Sequence, residues 1–263
     1  MGHVSLDLAR PRAALEAYKE ALAIQEAILP PESPLIADVY DSIACSLTET
    51  GNVEQAKNYL AKAMAIHLAH DPLKRARTEA IRALTFLRAR QPQDSLEALQ
   101  KCWELQGLTQ DQVEASQYPK HSGDLVLLAR IYWMRDEKDE ARELMSRTID
   151  MRKSVFGQDG GPRVADSIFH LARILEEKGQ NPSAAKLLRE ILDMSEGAPE
   201  MRAHLARALW FLAAVEKNIG SPDNECDILR ERARSVRKDI NGREGDDADT
   251  DESFMSLVSW MLW

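Results

Sequence analysis

The sequence predicts an all-α fold, a right-handed α-solenoid built from antiparallel helix pairs. Its composition favours helices, because Ala, Leu, Glu and Arg are abundant while only 12 of the 263 residues are Gly and 11 are Pro. A pattern of small and large residues also recurs along the chain, at an interval that is typical of solenoids. Together these observations predict about five complete helix pairs, preceded by half a pair at the N-terminus.

The recurring pattern marks the second helix of each pair. It consists of a small residue, a large residue four positions later and a third, usually small or apolar, residue after three more. The first residues of successive copies lie 42, 39, 46, 43 and 41 positions apart. The copies are Ala14/Tyr18/Ala21, Ala56/Leu60/Ala63, Ser95/Leu99/Cys102, Ala141/Met145/Thr148, Ala184/Leu188/Ile191 and a degenerate copy, Glu225/Leu229/Arg232.

A first helix is predicted before each copy, because another small residue stands twelve positions earlier. A large apolar residue usually precedes it, but Arg82 takes that place before Ala83, so the second complete pair departs from the pattern. Small side chains at a crossing let two helices approach to about 8–10 Å. Glycines between the helices, such as Gly51 and Gly179, predict left-handed helix ends. The small residues of the first helices are Gly2, Ala44, Ala83, Ala129, Ala172 and Ala213.

The predicted half pair lies at the N-terminus, where Gly2 already occupies the small position of a first helix. The helix expected from Pro11 to Leu29 would therefore lack most of its mate, whereas a solenoid normally begins with a cap over its apolar end. Two explanations stay open. Either the chain is a fragment of a longer protein, or residues 1–10 form a short irregular cap or leave an end that pairs with a partner.

The register of small and large residues resembles that of the tetratricopeptide repeat family, over residues 1–240. The family's consensus repeat is about 34 residues long. The longer interval here, with the linker-like stretches 28–37 and 155–165, is similar to the kinesin-light-chain-like branch and to fungal receptor-type arrays. The resemblance implies a protein–protein interaction scaffold that binds a peptide or partner segment in a concave groove. The alternative is a truncated repeat region of a larger multidomain receptor-type or regulatory protein.

The resemblance also implies which residues face the groove, because the family's first helices line it. In the last three pairs these positions combine aromatic and cationic side chains, which are common at hot spots and suit carboxylates. We therefore expect an acidic or aromatic peptide as partner, unless Trp133, Phe169 and Trp210 only pack between neighbouring repeats. The first complete pair is acidic at these positions, with Asp41 and Glu49. The predicted groove residues are Val126, Arg130, Trp133, Phe169, Arg173, Trp210 and Lys217.

The composition changes at the C-terminus. Residues 241–252 are predicted to be an acidic flexible linker, and residues 253–263 a hydrophobic segment. At helical spacing Phe254, Leu257, Val258 and Met261 would form one stripe. The segment could cap the last helix pair, fold back into the groove and regulate it, or dock on a partner or membrane surface. The predicted functional residues of this tail are Phe254, Leu257, Trp260 and Trp263.

Several functions are disfavoured by charge and by missing motifs. The formal net charge of −9 argues against binding to nucleic acid, which needs a basic face. No run of about 18 apolar residues predicts a membrane span, and no signal peptide is visible. Three widely spaced cysteines favour reduced thiols in a cytoplasmic protein.

Catalysis, a cofactor and a metal are likewise not predicted. His67 and His70 have a spacing that could hold a metal, but no third ligand lies near them in the sequence. No phosphate-binding loop, nucleophile elbow or zinc-protease motif occurs. We therefore predict that the protein is not an enzyme.

Overall fold

The computed structural model describes residues 2–3, 10–68, 72–157, 160–241 and 249–259. Within these ranges the chain folds into thirteen α-helices and two short 3-10 helices. The chain divides into two compact units, Met1–Ser116 and Gln117–Trp263, hereafter unit 1 and unit 2.

In the described part of unit 1, helical residues 2–3 and helix α1 precede two complete antiparallel pairs and a short closing helix. Helix α1 packs against the first helix of the first pair. The helices are α1 (Pro11–Ile28), the pair α2 (Pro34–Glu49) and α3 (Val53–His67), the pair α4 (Pro72–Arg88) and α5 (Pro92–Leu105), and α6 (Gln110–Glu114).

Unit 2 contains three complete pairs and a short helix from the C-terminal tail. The two 3-10 helices, Pro119–His121 and Pro199–Met201, each precede the first helix of a pair. The prediction of an all-α array with five complete helix pairs is therefore confirmed. The pairs are α7 (Ser122–Met134) with α8 (Lys138–Phe156), α9 (Gly161–Glu177) with α10 (Asn181–Met194) and α11 (Arg202–Ile219) with α12 (Asp223–Asn241), followed by α13 (Asp251–Met255).

Prolines set where several helices begin. Pro11, Pro34, Pro72 and Pro92 are each the first residue of a helix. Proline suits this position because its missing N–H has no acceptor in the first turn and its ring already holds a helical φ. At α2 the Ser33 side chain adds a cap by accepting a hydrogen bond from a backbone N–H of the first turn.

The turn inside each pair depends on one residue in the left-handed conformation. Gly51 and Gly179 have φ values of 77° and 72°, as predicted from their positions. The second and third pairs use Arg90 and Asp136 instead, with φ values of 57° and 66°. In all four pairs this residue lies two positions before the second helix begins. A side chain at positive φ is strained, so Arg90 and Asp136 make the fold less stable than glycine would at the same positions.

The predicted small residues lie at the helix crossings. On the first helices, the small residues of the five complete pairs are all buried. The buried small residues on the second helices are Ala14, Ala56, Ser95, Ala141 and Ala184. A Cβ added to Gly2 would lie 2.5 Å from the Cε1 atom of Tyr18, so a larger residue here would require the Tyr18 ring to shift.

The sixth copy of the pattern was assigned one residue too early. Glu225 and Arg232 are exposed, whereas Cys226 and Ala233 are buried at the crossing. The reason is the length of the preceding turn. Gly220 is left-handed like its counterparts, but it lies three residues before α12 begins instead of two. The extra residue shifts the register of the whole helix by one position.

The longest interval in the pattern, 46 residues between Ser95 and Ala141, has a structural cause. It contains the short helix α6, which Thr109 and Gln112 cap by reciprocal hydrogen bonds. Val113 of α6 is fully buried. The inserted segment ends near the boundary between the two units.

Candidate functional site

The candidate site in unit 2 is the surface formed by the first helices α7, α9 and α11, hereafter the first-helix face. Two of the predicted groove residues, Val126 and Phe169, are buried in it. They therefore form its floor and do not offer their side chains directly to a partner. Arg130 is also buried, and its charge lies beneath the surface.

Aromatic rings and arginines alternate across this floor. Phe169 meets Phe211 edge to face, with ring centroids 5.2 Å apart. The Arg207 guanidinium lies 3.9 Å from the Phe169 centroid, and that of Arg173 lies 4.6 Å from the Phe211 centroid. Arg173 also pairs with Glu176 on the same helix. The stacked cations fix the rings of α9 and α11 relative to each other.

A buried polar cluster surrounds Asp166. Arg207 Nη2 donates a hydrogen bond of 2.8 Å to Asp166 Oδ1. His170 Nε2 lies 3.6 Å from the other carboxylate oxygen, and His204 Nδ1 lies 3.5 Å from Arg207 Nη2. All four side chains are nearly inaccessible to water. Because a buried charge needs a partner, this cluster ties α9 to α11.

Burial determines the charge of the cluster. It lowers the pKa of both His170 and His204 to about 3, so both rings are neutral at pH 7. Burial alone would raise the pKa of Asp166, but His170 and the arginines around it lower that pKa below its usual range. The carboxylate is therefore ionised. Together with Arg130 and Arg207 it leaves the cluster with a net positive charge.

The remaining predicted residues occupy the edges of the face. Trp133 is partly buried and its Nε1 donates a hydrogen bond of 2.8 Å to Glu177 Oε2. Lys217 is exposed near the end of α11. The structure thus brings Arg130, Phe169 and Arg173 together with the Asp166 cluster, and leaves Lys217 outside it.

The C-terminal tail lies on Trp210. The Phe254 ring stacks on the Trp210 ring with centroids 4.2 Å apart and an angle of 11° between the planes. The Arg237 guanidinium lies 4.4 Å from the Phe254 centroid. Trp210 Nε1 donates a hydrogen bond of 2.8 Å to Asp251 Oδ1. Phe254 is fully buried as a result.

Acidic residues anchor the start of the tail on α12. Arg234 Nε donates to Asp249 Oδ2 at 2.6 Å, and Arg237 Nη2 donates to Asp249 Oδ1 at 3.0 Å. Arg237 Nη1 also donates to Ser253 Oγ at 2.8 Å. Residues 249–252, the last four of the predicted linker, thus make defined contacts, and α13 already begins at Asp251. Residues 242–248 lie outside the described part of the chain.

The tail packs on the last helix pair and also reaches the first-helix face. Phe254 and Leu257 join a buried cluster with Ala206, Leu209 and Ala233 of α11 and α12. Beyond it, a small cavity separates the tail from the Asp166 cluster. The cavity is lined by Arg130, Asp166, His170, Arg207, Met255, Val258 and Ser259.

The predicted tail residues Phe254 and Leu257 are thus buried, and so is Val258 of the proposed stripe. The helix itself spans only residues 251–255, which is shorter than the predicted stripe. Trp260, Met261 and Trp263 lie outside the described residues.

Sequence reasoning missed the polar residues that organise this site, Asp166, His170, Arg207 and Arg237. A pattern in the second helices could have predicted one of them, Arg237. The residue eleven positions after the small residue is polar and buried in four of the five complete pairs. These residues are His67, Arg152, Ser195 and, in the corrected register, Arg237. Arg152 uses this position to donate hydrogen bonds to Arg163 O and Ser167 Oγ on the next helix, at 2.7 Å and 2.9 Å.

The acidic positions of the first complete pair are mostly internal contacts. Asp41 is fully buried and accepts a 2.9 Å hydrogen bond from Thr78 Oγ1, and Thr48 bonds Thr85 at 2.8 Å. Cys45 is buried, which raises the pKa of its thiol. These side chains join α2 to α4 rather than form an open acidic surface.

The histidine pair considered as a metal site is not assembled in the described residues. His67 is fully buried, with its Nε2 3.7 Å from Asp41 Oδ2, while His70 lies outside the described part of the chain. In that part no group of three His, Cys, Asp or Glu side chains has a geometry suited to a metal ion. Nor is any described helix both long enough and apolar enough to cross a membrane.

Comparison with known proteins agrees with the architecture. Residues 1–69 and residues 125–160 match the tetratricopeptide repeat family. No match is found among curated proteins.

Two solved structures share the fold. One is a putative kinesin light chain with nearly identical TPR-like repeats from Podospora anserina, at 20% identity, covering 78% of this chain and 96% of that one, with a TM-score of 0.58. The other is BtubC (BKLC) from P. vanneervenii, at 15% identity, covering 91% of this chain and 93% of that one, with a TM-score of 0.60. Residues 1–69 and 125–160 are thus tetratricopeptide repeats by their sequence match, and the helix pairs of the chain share the fold of these two structures.

Proposed function

We propose that this protein is an interaction scaffold whose first-helix face in unit 2 binds a segment of a partner protein, and that its own C-terminal tail competes for this surface. Tetratricopeptide repeats are generally protein–protein interaction modules and typically not enzymes. The observation that carries the proposal is the stacking of Phe254 on Trp210, with Asp251 bonded to the Trp210 indole.

The contacts of the tail indicate the chemistry of such a partner. Two carboxylates and one aromatic ring of the tail each meet a complementary group: Asp249 meets arginines, Asp251 an indole N–H, and Phe254 an indole face. Beneath the tail lies the positively charged Asp166 cluster. An acidic and aromatic partner segment would find the same donors and the same stacking surface.

One of the ion pairs that hold the tail is exposed and therefore weak. The carboxylate of Asp249 and the Arg234 side chain are each more than one third exposed, and such ion pairs contribute only about 0–1 kcal/mol. Burying the Phe254 ring contributes about 1.5–3 kcal/mol, against which stands the entropy lost when the tail is ordered. A tethered segment nevertheless acts at a local concentration on the order of millimolar, so a partner must bind well to compete.

Releasing the tail should expose the site. The test compares the full-length protein with the variant Asp251→Asn/Phe254→Ala, using a fluorescently labelled peptide with the sequence of residues 249–263. We expect the peptide to bind the variant about tenfold more tightly than the unaltered protein, because the tethered competitor is weakened. Adding Trp210→Ala to the variant should abolish this gain. Fluorescence anisotropy measures all three affinities.

A matched control is Asp239→Asn, which removes the Arg202–Asp239 ion pair on the same two helices without touching the tail. Its affinity for the peptide should equal that of the unaltered protein. The proposal would be contradicted if the peptide bound the released variant and the unaltered protein with equal affinity. It would also be contradicted if adding Trp210→Ala did not change the affinity of the released variant. Loss of helical circular dichroism in the released variant would show instead that the tail is a structural cap.

A further inference from the structure

One repeat position in unit 1 leaves a groove open on the surface. In the other four complete pairs a large apolar side chain stands directly before the small residue of the first helix, and it is buried. In the second complete pair this residue is Arg82, whose side chain is 48% exposed. The four apolar residues at this position are Ile43, Leu128, Leu171 and Leu212.

The groove runs between α3 and α4 and has a volume of about 460 Å³. Apart from Lys57, its α3 wall is apolar, and it extends past the end of the helix to Leu68, which is 61% exposed. Its α4 wall is a stripe of three residues at helical spacing, Thr78, Arg82 and Phe86. The α3 wall consists of Lys57, Leu60, Ala61, Met64, Ala65 and Leu68.

One end of the groove is cationic and aromatic. Lys57 Nζ lies 5.3 Å from the Phe86 ring centroid, and the Arg82 guanidinium lies 5.2 Å from it. Among the described residues that line the groove, these are the charged side chains, and none is acidic. Their ion-pair partners, Glu54 at 3.0 Å and Glu79 at 3.4 Å, lie outside the lining, one turn away on the same helices.

Those existing ion pairs do not block an anionic ligand. The Lys57–Glu54 pair lies on the helix surface, and such pairs contribute only about 0.2–0.5 kcal/mol, so it can be exchanged at little cost. Glu79 is nearly buried, so Arg82 keeps this partner and offers its other N–H groups to the ligand. Lys57 also donates a 3.1 Å hydrogen bond to Gln91, which holds its charge at the end of the groove. Beyond Arg82 and Phe86 a second cavity is lined by three acids and a lysine, namely Glu79, Asp94, Glu97 and Lys101. The lining without acidic side chains therefore belongs to the α3–α4 groove.

We propose that this groove binds an amphipathic helix of a partner protein, with the helix's apolar stripe against α3 and a carboxylate over Lys57 and Arg82. The apolar stripe Leu60, Met64 and Leu68 and the facing stripe on α4 both repeat every four residues. The side chains of the two stripes form ridges, and the groove between these ridges can accept the side chains of a third helix. The cationic end determines the direction of that helix, because its acidic end must lie at Lys57.

This second surface is independent of the first-helix face of unit 2. It lies wholly within unit 1 and involves no residue of the tail. A partner held here would therefore remain bound whether or not the tail is released.

The test uses the full-length protein and two labelled helical peptides of about 16 residues, long enough to form a helix when bound. Both carry leucines at i, i+3, i+4 and i+7, and they differ in having two glutamates or two lysines in the first turn. We expect the glutamate peptide to bind about tenfold more tightly than the lysine peptide, because its carboxylates meet Lys57 and Arg82. Fluorescence anisotropy gives both affinities.

Three variants make the test specific. Arg82→Leu, combined with Glu79→Gln so that no nearly buried carboxylate loses its arginine, restores the apolar residue of the other pairs. This variant should fold, fill the groove and weaken glutamate-peptide binding about tenfold or more. Lys57→Glu should reverse the preference between the two peptides. Lys62→Glu, on the same helix but stacked on Tyr40 and Tyr59 away from the groove, should leave both affinities unchanged.

Three results would overturn the inference. They are unchanged glutamate-peptide binding by the Glu79→Gln/Arg82→Leu variant, an equal effect of Lys62→Glu and Lys57→Glu, and no binding of either peptide. Dodecanoate serves as a competitor. If dodecanoate binds in an Arg82-dependent manner while the peptides do not, the groove is a site for a small anionic amphiphile and the partner helix is refuted.

Discussion

Acidification should destabilise unit 2 before most carboxylates titrate. His170 and His204 are nearly fully buried in the Asp166 cluster, and burial lowers the pKa of each to about 3. In the unfolded chain both return to a pKa near 6.5. Between these values the unfolded state binds more protons than the folded state, so stability falls as the pH falls.

The size of the effect follows from the two pKa values. A histidine that stays neutral in the fold loses roughly 1 kcal/mol of stabilisation between pH 7 and pH 5.5, so the two together lose roughly 2–3 kcal/mol. The stabilisation is fully present above pH 6.5 and is lost progressively towards pH 3. The lowered pKa of Asp166 acts in the same direction, but only below about pH 4, where the unfolded carboxylate becomes protonated.

Urea denaturation at pH 7 and pH 5.5, followed by circular dichroism, measures this loss. The variant His170→Gln/His204→Gln should be less stable at pH 7 but should lose much less stability on acidification. The control His3→Gln, in unit 1, should keep the full pH dependence of the unaltered protein. If the double variant and the unaltered protein show the same dependence on pH, these histidines are not the source and the account of the cluster is wrong.

Two further predictions concern the turns and the helix crossings. Arg90→Gly should raise the free energy of unfolding by about 0.5–1 kcal/mol, because Arg90 has a φ of 57°, whereas Gly179→Ala should lower it by about 1 kcal/mol. Thermal denaturation checks both, and opposite signs would refute the strain argument. Ala141→Arg or Ala184→Arg should cost about 1–3 kcal/mol or more by overpacking a fully buried crossing, as urea denaturation would show. A neutral result would mean that the register is wrong.

The helix pairs were predictable because the crossings impose a spacing that survives in the sequence. Small residues such as Ala44 and Ala56 are buried because only small side chains fit there. Helix ends also followed from local chemistry, as at Gly51 and Gly179, which are left-handed as predicted. The register of α12 was predicted wrongly because the small–large pattern contains no information about the length of the turn before the helix.

The candidate site was less predictable, because its chemistry is assembled from different repeats. Asp166 and Arg207 are 41 residues apart in sequence, so no local sequence pattern predicts their hydrogen bond. Arg130 and Trp210 lie on the first helices α7 and α11, but the position of a residue in the repeat does not reveal how deeply its side chain is buried. Phe169 shows the difference, since it occupies a predicted groove position and is nonetheless fully buried.

The longer turn before α12 has a consequence for how the tail finds its place. One residue more or less at the start of a helix rotates every later side chain by about 100° around the helix axis. With the shorter turn of the other pairs, Glu225 would instead lie at the crossing, and Arg234 and Arg237 would be turned away from Asp249 although none of these residues is altered. The docking of the tail thus depends on the phase of a helix, which is set by the length of the turn before it.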